Sequence, residues 1–379
     1  MLELPPLSLY IHIPWCIKKC PYCDFNSHEA VGSLPQENYL AALLEDFRED
    51  VRYFQERKIH SVFIGGGTPS LFPAEFFEKL LCGLRNMASF ETDFECTLEA
   101  NPSTVESGRF SEYRNVGINR LSIGIQSFND PSLSSLGRVH DSNQARFAIE
   151  TCLCAGFDNF NLDLMYGLPG QEIDSAILDL ETALNYRPAH ISWYQLTVEP
   201  NTAFYNAPPS LPDEDTIMTM QLEAMDLFES GGLKRYEISA YALPDMPSKH
   251  NLNYWTFGDY IGIGAGAHGK ITFPDQNSIV RTRKVKQPSH YLNQDKPYLA
   301  EQTAIESNDL IIEFMMNALR LTQGFDAGLF ERRTGRSFAD IEKRLKHLQS
   351  QGLLQQDNGR IRPSPKGQLF VNSLLEEFL

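Results

Sequence analysis

The chain has 379 residues, of which 42% are hydrophobic and 22% charged, a globular composition that rules out a disordered chain. Its length predicts two or three domains, or one barrel with an appendage. With 33 basic and 49 acidic residues the net charge is −16, so general binding to nucleic acid is disfavoured. No apolar run reaches the roughly 18 residues of a membrane helix, and no secretory signal is visible, so a cytoplasmic protein is predicted.

Strand-like and helix-like segments alternate through the first two-thirds of the chain. The predicted elements, in chain order, are strand Leu7–Ile13, helix Gln36–Lys58, strand Ser61–Ile64, helix Ala74–Met87, strands Phe94–Leu98 and Leu121–Ile125, helix Asn143–Ala155, strand Phe160–Leu164, helix Asp174–Tyr186 and strand Ile191–Leu196. About six βα units in series predict an α/β fold with a parallel sheet and right-handed crossovers. Six units are too few for an eight-fold barrel and fit either a partial barrel or a doubly wound sheet.

The part of the chain that follows these βα units changes character. Its predicted elements are a helix over about 213–230, the strand Tyr236–Tyr241, the helices Asp309–Leu321 and Phe338–Gln351, and a hairpin that turns at Asp357–Gly359. The helix-and-hairpin pattern near the end resembles a small winged-helix-like α+β module. We therefore expect three units: the βα region over 1–240, an aromatic and glycine-rich extension over 241–304, and the C-terminal module over 305–379.

The strongest chemical signal is a C-x₃-C-x₂-C loop formed by Cys16, Cys20 and Cys23, directly after the first strand. Three thiolates on one tight loop can hold three corners of a [4Fe–4S] cluster, which leaves the fourth iron open for an external ligand. Structural zinc is the competing interpretation, because His12 or His28 would complete the four protein ligands that zinc prefers.

Polar and glycine residues also follow consecutive predicted strands. They are Gly65–Thr68 after the second strand, Glu99 after the third, Gln126 and then Arg138 after the fourth, and Asp163 on the fifth. Taken singly, each is typical of a simple turn, a capped strand end or a surface ion pair. Together they predict one polar group at the carboxyl ends of neighbouring strands, where parallel α/β folds have their active sites.

The cysteine loop is similar to the signature of the radical S-adenosylmethionine (SAM) superfamily. Within that superfamily the chain resembles the HemW heme chaperone family, which is related to the oxygen-independent coproporphyrinogen III oxidases. The phrases that carry the resemblance are Tyr10–Cys16, Gly65–Pro69, Glu99–Pro102, Gly124–Phe128, Gly137–His140 and Asp163–Pro169. The resemblance implies a partial (β/α)₆ radical SAM barrel, a [4Fe–4S] cluster on the three cysteines, and bound SAM. The SAM contacts that it implies are Tyr10, Gly66, Gly67, Thr68, Glu99, Gln126, Arg138 and Asp163.

Two features favour the chaperones over the oxidases. The oxidases have a further cysteine two residues after the third ligand, where this chain has Phe25. The segment His250–Trp255 matches a His-Asn-x-x-Tyr-Trp motif of the chaperones, so the resemblance implies heme binding by His250, Asn251, Tyr254 and Trp255. An imidazole can ligate heme iron, and the two aromatic rings offer apolar faces to a porphyrin. A satisfied, half-buried turn is the alternative interpretation of this motif.

The resemblance therefore implies a protein that binds heme and delivers it to apoproteins such as respiratory heme enzymes. One alternative is a coproporphyrinogen III dehydrogenase that cleaves SAM reductively and decarboxylates its substrate. A structural zinc protein without SAM is a third class. Whether the chain cleaves SAM stays open at this point, as do a homodimer and peripheral contact with a membrane. His268, which follows a glycine-rich stretch, is a further residue near a predicted strand end.

Overall fold

The computed structural model describes residues 1–103, 108–293 and 295–379, and a twelve-stranded sheet lies at its centre. The strands are β1 (Leu7–Ile13), β2 (Trp15–Cys16), β3 (His28–Glu29), β4 (Ile59–Gly66), β5 (Phe90–Ala100), β6 (Arg120–Gln126), β7 (Phe160–Tyr166), β8 (His190–Gln195), β9 (Lys234–Glu237), β10 (Ala240–Ala242), β11 (Asp259–Ile263), β12 (His268–Phe273), β13 (Ser278–Lys284), β14 (Leu299–Ala304), β15 (Phe325–Asp326), β16 (Leu354–Asp357) and β17 (Arg360–Pro363).

Helices connect most of these strands. They are α1 (Gln36–Asp50), α2 (Ala74–Met87), α3 (Phe110–Asn115), α4 (Asp130–Ser135), α5 (Ser142–Cys154), α6 (Ile173–Asn185), α7 (Ala203–Asn206), α8 (Glu214–Ser230), α9 (Lys249–Trp255), α10 (Pro288–Tyr291), α11 (Asp309–Ala318), α12 (Ala327–Thr334), α13 (Ala339–Ser350), α14 (Pro365–Leu369) and α15 (Val371–Glu376), with 3₁₀ turns at Val51–Tyr53, Pro69–Leu71 and Pro274–Gln276. No helix in the described ranges has both the length and the apolar character needed to cross a membrane.

Six neighbouring strands of the sheet run parallel, in the order β1-β4-β5-β6-β7-β8, which is also their order in the chain. Helices cross over between them, as the alternating pattern predicts. The carboxyl ends of all six strands therefore meet at one edge of the sheet. This arrangement confirms the predicted series of parallel βα units.

Along β1, apolar side chains on one face of the strand alternate with other side chains on the opposite face. Leu7, Leu9, Ile11 and Ile13 are fully buried in the main hydrophobic core, which they form with the surrounding helices. The intervening side chains project to the opposite face, because successive residues of a strand point to opposite sides. That second face is polar and aromatic, and it is the face on which the candidate site is built.

The segment over 241–304 extends the same sheet past β1. Strand β11 pairs in parallel with β1 on the side away from β4, and β12, β13 and β14 follow it as antiparallel neighbours. A buried ion cluster fixes this extension to α1, because Lys284 Nζ bonds Asp46 at 2.5 Å and Asp50 at 2.7 Å. The Tyr291 hydroxyl donates to Asp46 at 2.6 Å. All three charges are nearly inaccessible to water, so each one depends on its partners.

The residues after 304 form a small module around a second hydrophobic core, to which Leu2, Phe257 and Ile279 also contribute. Its three-stranded sheet has the order β15-β17-β16, and helices α11, α12 and α13 pack with it around Phe314, Phe330 and Leu345. The predicted hairpin is present as β16 and β17, joined at Asn358 and Gly359, both of which have positive φ.

Two predicted elements need correction. The single strand predicted for Tyr236–Tyr241 is wrong, because the chain turns at Ile238 and Ser239 into the antiparallel pair β9 and β10. The helix predicted over Gln36–Lys58 is α-helical only to Asp50. Gln55 and Glu56 have left-handed backbone, with φ of 49° and 65°, which ends the helical path.

Candidate functional site

A cavity of about 430 Å³ opens at the carboxyl ends of the parallel strands. Cys16, Cys20 and Cys23 line one side of it. Seven of the eight predicted SAM contacts line the rest: Gly66, Gly67, Thr68, Glu99, Gln126, Arg138 and Asp163. The eighth, Tyr10, is not among the lining residues and its hydroxyl bonds instead to His12 Nδ1 at 2.9 Å. The structure thus brings the cysteine loop and the strand-end residues together.

A short strand pair and the side chain of Asn26 hold the cysteine loop in place. Strand β2, which ends at Cys16, pairs with β3 just beyond the loop. Asn26 donates from its side chain to the carbonyls of Ala265 and Lys286, both at 2.9 Å, and its own carbonyl bonds His12 Nε2 at 2.9 Å. Burial raises the pKa of the Cys16 and Cys23 thiols.

The two histidines of the zinc interpretation differ in their surroundings. Both ring nitrogens of His12 are engaged, one by Tyr10 and one by the Asn26 carbonyl. Burial lowers the pKa of His12 to about 4. His28 has a buried Nε2 with no hydrogen-bond partner in the described part of the chain. Within the described ranges, no three His, Cys, Asp or Glu side chains converge around a single-ion site.

The glycine run after β4 leaves no room for side chains. A Cβ on Gly66, where φ is 112°, would lie 2.4 Å from His12 Cε1. A Cβ on Gly67 would lie 2.5 Å from the Trp15 carbonyl oxygen. The Gly67 and Thr68 amides donate to the carbonyls of Ile13 and Trp15, both at 2.7 Å. Close packing therefore joins the glycine run to the start of the cysteine loop, and only glycine permits this approach.

Two partly buried carboxyl groups face the cavity. Glu99 accepts a hydrogen bond from the Gly66 amide at 3.0 Å. Burial, reinforced by the nearby charge of Asp163, raises the pKa of Glu99 to about 8. Asp163 accepts from Ser122 Oγ at 2.8 Å and from Asn161 Nδ2 at 2.9 Å, while burial raises its pKa. Glu99 is thus mainly protonated at neutral pH until a cation enters the cavity.

Arg138 is a cationic side chain in the lining of the cavity, as is Lys18. Its guanidinium donates to Asn101 Oδ1 at 2.6 Å and to the Gly124 carbonyl at 2.9 Å, and it approaches Cys20 Sγ at 3.7 Å. Its Nε is buried and has no partner among the residues that the structure describes. A buried donor without an acceptor is costly, so the side chain is prepared for an incoming anion such as a carboxylate.

The donors around the cavity fit SAM and an iron–sulfur cluster. Three thiols share one wall, an unpartnered arginine Nε suits a carboxylate, and Glu99 suits an amino group. Asp163 offers acceptors for hydroxyl groups. A volume of about 430 Å³ lies within the range of small-molecule pockets.

The His-Asn-x-x-Tyr-Trp segment forms α9 and lies away from this cavity. His250 is 2% exposed, and its two ring nitrogens bond Ser61 Oγ at 3.1 Å and Tyr254 Oη at 3.2 Å. Burial lowers the pKa of His250 to about 3. Trp255 stacks under Arg320 of the C-terminal module, with 4.3 Å between the guanidinium carbon and the ring centroid. In this conformation His250 has no free nitrogen for a metal, and heme ligation by the motif stays a prediction.

A chain of hydrogen bonds connects α9 to the cavity. Asn251 donates to the Tyr236 hydroxyl at 3.4 Å, and that hydroxyl bonds His190 Nε2 at 2.9 Å. His190 Nδ1 in turn bonds Asn161 Oδ1 at 2.7 Å, and Asn161 holds Asp163. On the other side, the His250 ring stacks on Phe63 with 5.1 Å between centroids. The motif therefore packs against β4 and is connected by hydrogen bonds to Asp163 of the cavity.

Sequence reasoning missed the residues that position the site. Asn26 holds the cysteine loop, and Ser122 and Asn161 hold Asp163. The available signal was a polar residue within an otherwise apolar strand, since Ser122 and Asn161 are nearly inaccessible to water. Asn26 gave no such signal, because its partners lie more than 230 residues away along the chain.

Comparisons with known proteins agree with this geometry. The chain matches the Radical SAM superfamily over residues 10–183 and the HemN C-terminal domain over residues 305–370. It is 47% identical to the heme chaperone HemW of Haemophilus influenzae, over 100% of this chain and 99% of that protein. It is also 47% identical to the heme chaperone HemW of Escherichia coli, over the full length of both. The HemW of Bacillus subtilis is 35% identical over 98% of this chain and 99% of its own.

A solved structure supports the fold. The coproporphyrinogen III oxidase HemN from Escherichia coli, described as a radical SAM enzyme, superposes with a TM-score of 0.82. The alignment covers 99% of this chain and 90% of that one, at 24% identity. This likeness confirms the predicted fold class, since it extends over both the parallel sheet and the C-terminal module.

Proposed function

The chain belongs to the HemW heme chaperone family of the radical SAM superfamily, and from this premise we propose that it binds heme and delivers it to apoproteins. The observation that carries the proposal is 47% identity to two HemW chaperones over the whole chain. The aligned region spans the cysteine loop, the strand ends and the C-terminal module. The proposed acceptors are heme enzymes of the respiratory chain.

The resident cofactors in this proposal are a [4Fe–4S] cluster and SAM. Cys16, Cys20 and Cys23 would hold the cluster, which when bound supplies a redox centre with one open iron. Arg138 would bind the SAM carboxylate through its unpartnered Nε, and Glu99 would pair with the amino group. Asp163 would accept from the ribose hydroxyls, with Gln126 and the Gly66–Thr68 backbone completing the enclosure.

The ionisable side chains of the cavity would respond to the charges of SAM. Glu99 and Asp163 are partly buried and close together, so an empty cavity favours their protonated forms. A cationic sulfonium nucleotide would favour ionisation of Glu99 as it binds. Arg138, between the third strand end and Cys20, would orient the carboxylate end of the nucleotide towards the cysteine loop.

A coproporphyrinogen III dehydrogenase is the second candidate, because the cavity retains the complete set of strand-end residues and the fold matches that of HemN. The discriminating experiment uses the anaerobically reconstituted chain with coproporphyrinogen III, SAM and a reductant, followed by chromatography. We expect no protoporphyrinogen above a control without protein. Efficient conversion would contradict the chaperone function.

A structural zinc protein is separated from both by elemental analysis. Protein purified without oxygen should contain iron and acid-labile sulfide, and zinc without sulfide would contradict both SAM-dependent functions.

We also propose a cytoplasmic location, supported by seven free cysteines, which a reducing compartment would preserve. Dimerisation and membrane contact remain predictions, for which sedimentation of the heme-loaded chain with and without vesicles is the direct measurement.

A further inference from the structure

A second histidine, His268, has the accessible imidazole that His250 lacks. His268 is exposed, and within residues 1–103, 108–293 and 295–379 its imidazole makes no hydrogen bond. His250, by contrast, is 2% exposed and has both nitrogens bonded. An iron ligand needs a free nitrogen and an approach for a flat porphyrin, so exposure and a free imidazole favour His268.

The topology brings His268 to the cavity end of the sheet. Strand β11 runs parallel to β1, so both strands end at the same edge, and β12 begins there with His268. The glycine-rich loop between β11 and β12 contacts the cysteine loop directly, since Asn26 bonds the Ala265 carbonyl. A Cβ on Gly266 would lie 2.3 Å from Asn26 Nδ2. The connection that leads into His268 is therefore packed against the cysteine loop, while His268 itself lies outside the lining of the SAM cavity.

Cationic side chains surround this histidine on a chain whose net charge is −16. Arg283 is the cross-strand partner of His268 in the antiparallel pair β12 and β13, and directly opposed residues share one face of a sheet. Lys286 follows two residues after β13, is exposed, and its carbonyl accepts from Asn26. Arg283 pairs with Glu301 at 2.7 Å on the exposed edge, where a competing carboxylate can replace that partner at small cost.

Exposed apolar side chains of the cysteine loop, which also line the SAM cavity, complete the proposed surface. Phe25 is 62% exposed and Ile17 is 53% exposed. Phe25 directly precedes Asn26, the residue that joins the loop to the β11–β12 connection. Large apolar side chains left in water next to a cationic rim suit a ligand with an apolar ring and anionic edge groups.

We propose that heme iron is ligated by His268, with the heme propionates paired to Arg283 and Lys286 and the porphyrin face against Phe25 and Ile17. This inference rests on the proposed heme chaperone function and assigns its binding surface. In this proposal His250 holds the residues around it in position and does not ligate the iron.

The test is a titration of heme into the full chain with its cluster reconstituted, followed by absorption spectroscopy. His268→Ala should bind heme at least tenfold more weakly and lose the wild-type Soret position. His268→Met should recover affinity with a shifted spectrum, because a thioether replaces the imidazole. His290→Ala, which removes another exposed histidine, serves as the matched control and should behave like the wild type. Cluster absorbance and melting temperature should be equal in all variants.

A second arm tests the propionate contacts. Lys286→Gln should weaken heme binding severalfold but leave binding of heme dimethyl ester unchanged, because the ester has no carboxylates to pair. Equal weakening for both ligands would contradict the propionate assignment. Unchanged heme affinity and spectrum in His268→Ala, or their loss in His290→Ala, would overturn the iron assignment. If the wild type binds no heme at all, the proposed function itself fails, which is a different result from these.

Discussion

Protonation of Glu99 is expected to control the affinity for SAM. Burial and the neighbouring Asp163 raise the pKa of Glu99 to about 8, although the Gly66 amide bond partly opposes the shift. At pH 7 the empty site therefore holds mainly a neutral carboxyl group, which attracts a cationic nucleotide weakly. Binding has to remove that proton first, so affinity should rise with pH until Glu99 is fully ionised.

The magnitude follows from the ionised fraction. Below a pKa of about 8 this fraction falls about tenfold for each pH unit. Between pH 9 and pH 6 the contribution of Glu99 to SAM affinity should therefore fall about a hundredfold, or roughly 3 kcal/mol. Glu99→Gln keeps the shape but removes the titration, and the ratio of wild-type to variant affinity cancels any titration of SAM itself.

The assay is calorimetric titration of SAM into both proteins without oxygen at pH 6, 7, 8 and 9. We expect the affinity ratio to change about a hundredfold across the series, with its midpoint near pH 8. Parallel pH dependences, with a constant ratio, would refute the role of Glu99. Without SAM, the raised pKa means that the folded chain loses stability as pH rises from about 4.5 to about 8. Glu99→Gln should remove that loss, which chemical unfolding at the same pH values measures.

Three further predictions concern the cysteine loop, the glycine run and the buried ions. Cys20→Ser should abolish the visible absorbance of the reconstituted cluster, whereas Cys154→Ser, at an exposed helical site, should retain it, and the reverse would contradict the ligand role. Gly66→Ala should weaken SAM binding and lower stability by about 1–3 kcal/mol, because its Cβ would meet His12 at 2.4 Å; an unchanged melting temperature would contradict this. Lys284→Met should cost about 3–5 kcal/mol in chemical unfolding, because two buried aspartates of α1 lose their cation, and a loss below about 1 kcal/mol would contradict the ion cluster.

The periodicity of apolar residues predicted those strands and helices whose pattern is complete within the segment itself. The strand Leu7–Ile13 and the helix Ala74–Met87 have the bounds expected from their apolar periodicity. The pairing of β11 beside β1 was not predictable in this way, because strands more than 240 residues apart in the chain pair through the tertiary fold. The reversal at Ile238 and Ser239 was missed because no glycine, proline or asparagine marks the turn, so Tyr236–Tyr241 resembles one continuous strand.

The candidate site shows the same limit. Glu99, Arg138 and Asp163 were predicted to share a cavity because carboxyl ends of parallel strands meet at one edge, and the structure brings them together. The surroundings of His250 could not be predicted, since which face of a short helix is buried depends on the strand that it packs against. Its neighbours Ser61 and Phe63 belong to β4, far away in the chain.

Transfer of heme tests the central claim most directly. Heme-loaded protein would be mixed with membrane vesicles that contain the apo form of a heme-dependent respiratory oxidase, and the two heme spectra would be followed over time. The account predicts that the spectrum of the loaded chain decays as that of the oxidase appears, faster than with equal free heme held on albumin. Retention of the heme by the chain, or loading no faster than from albumin, would contradict a chaperone function.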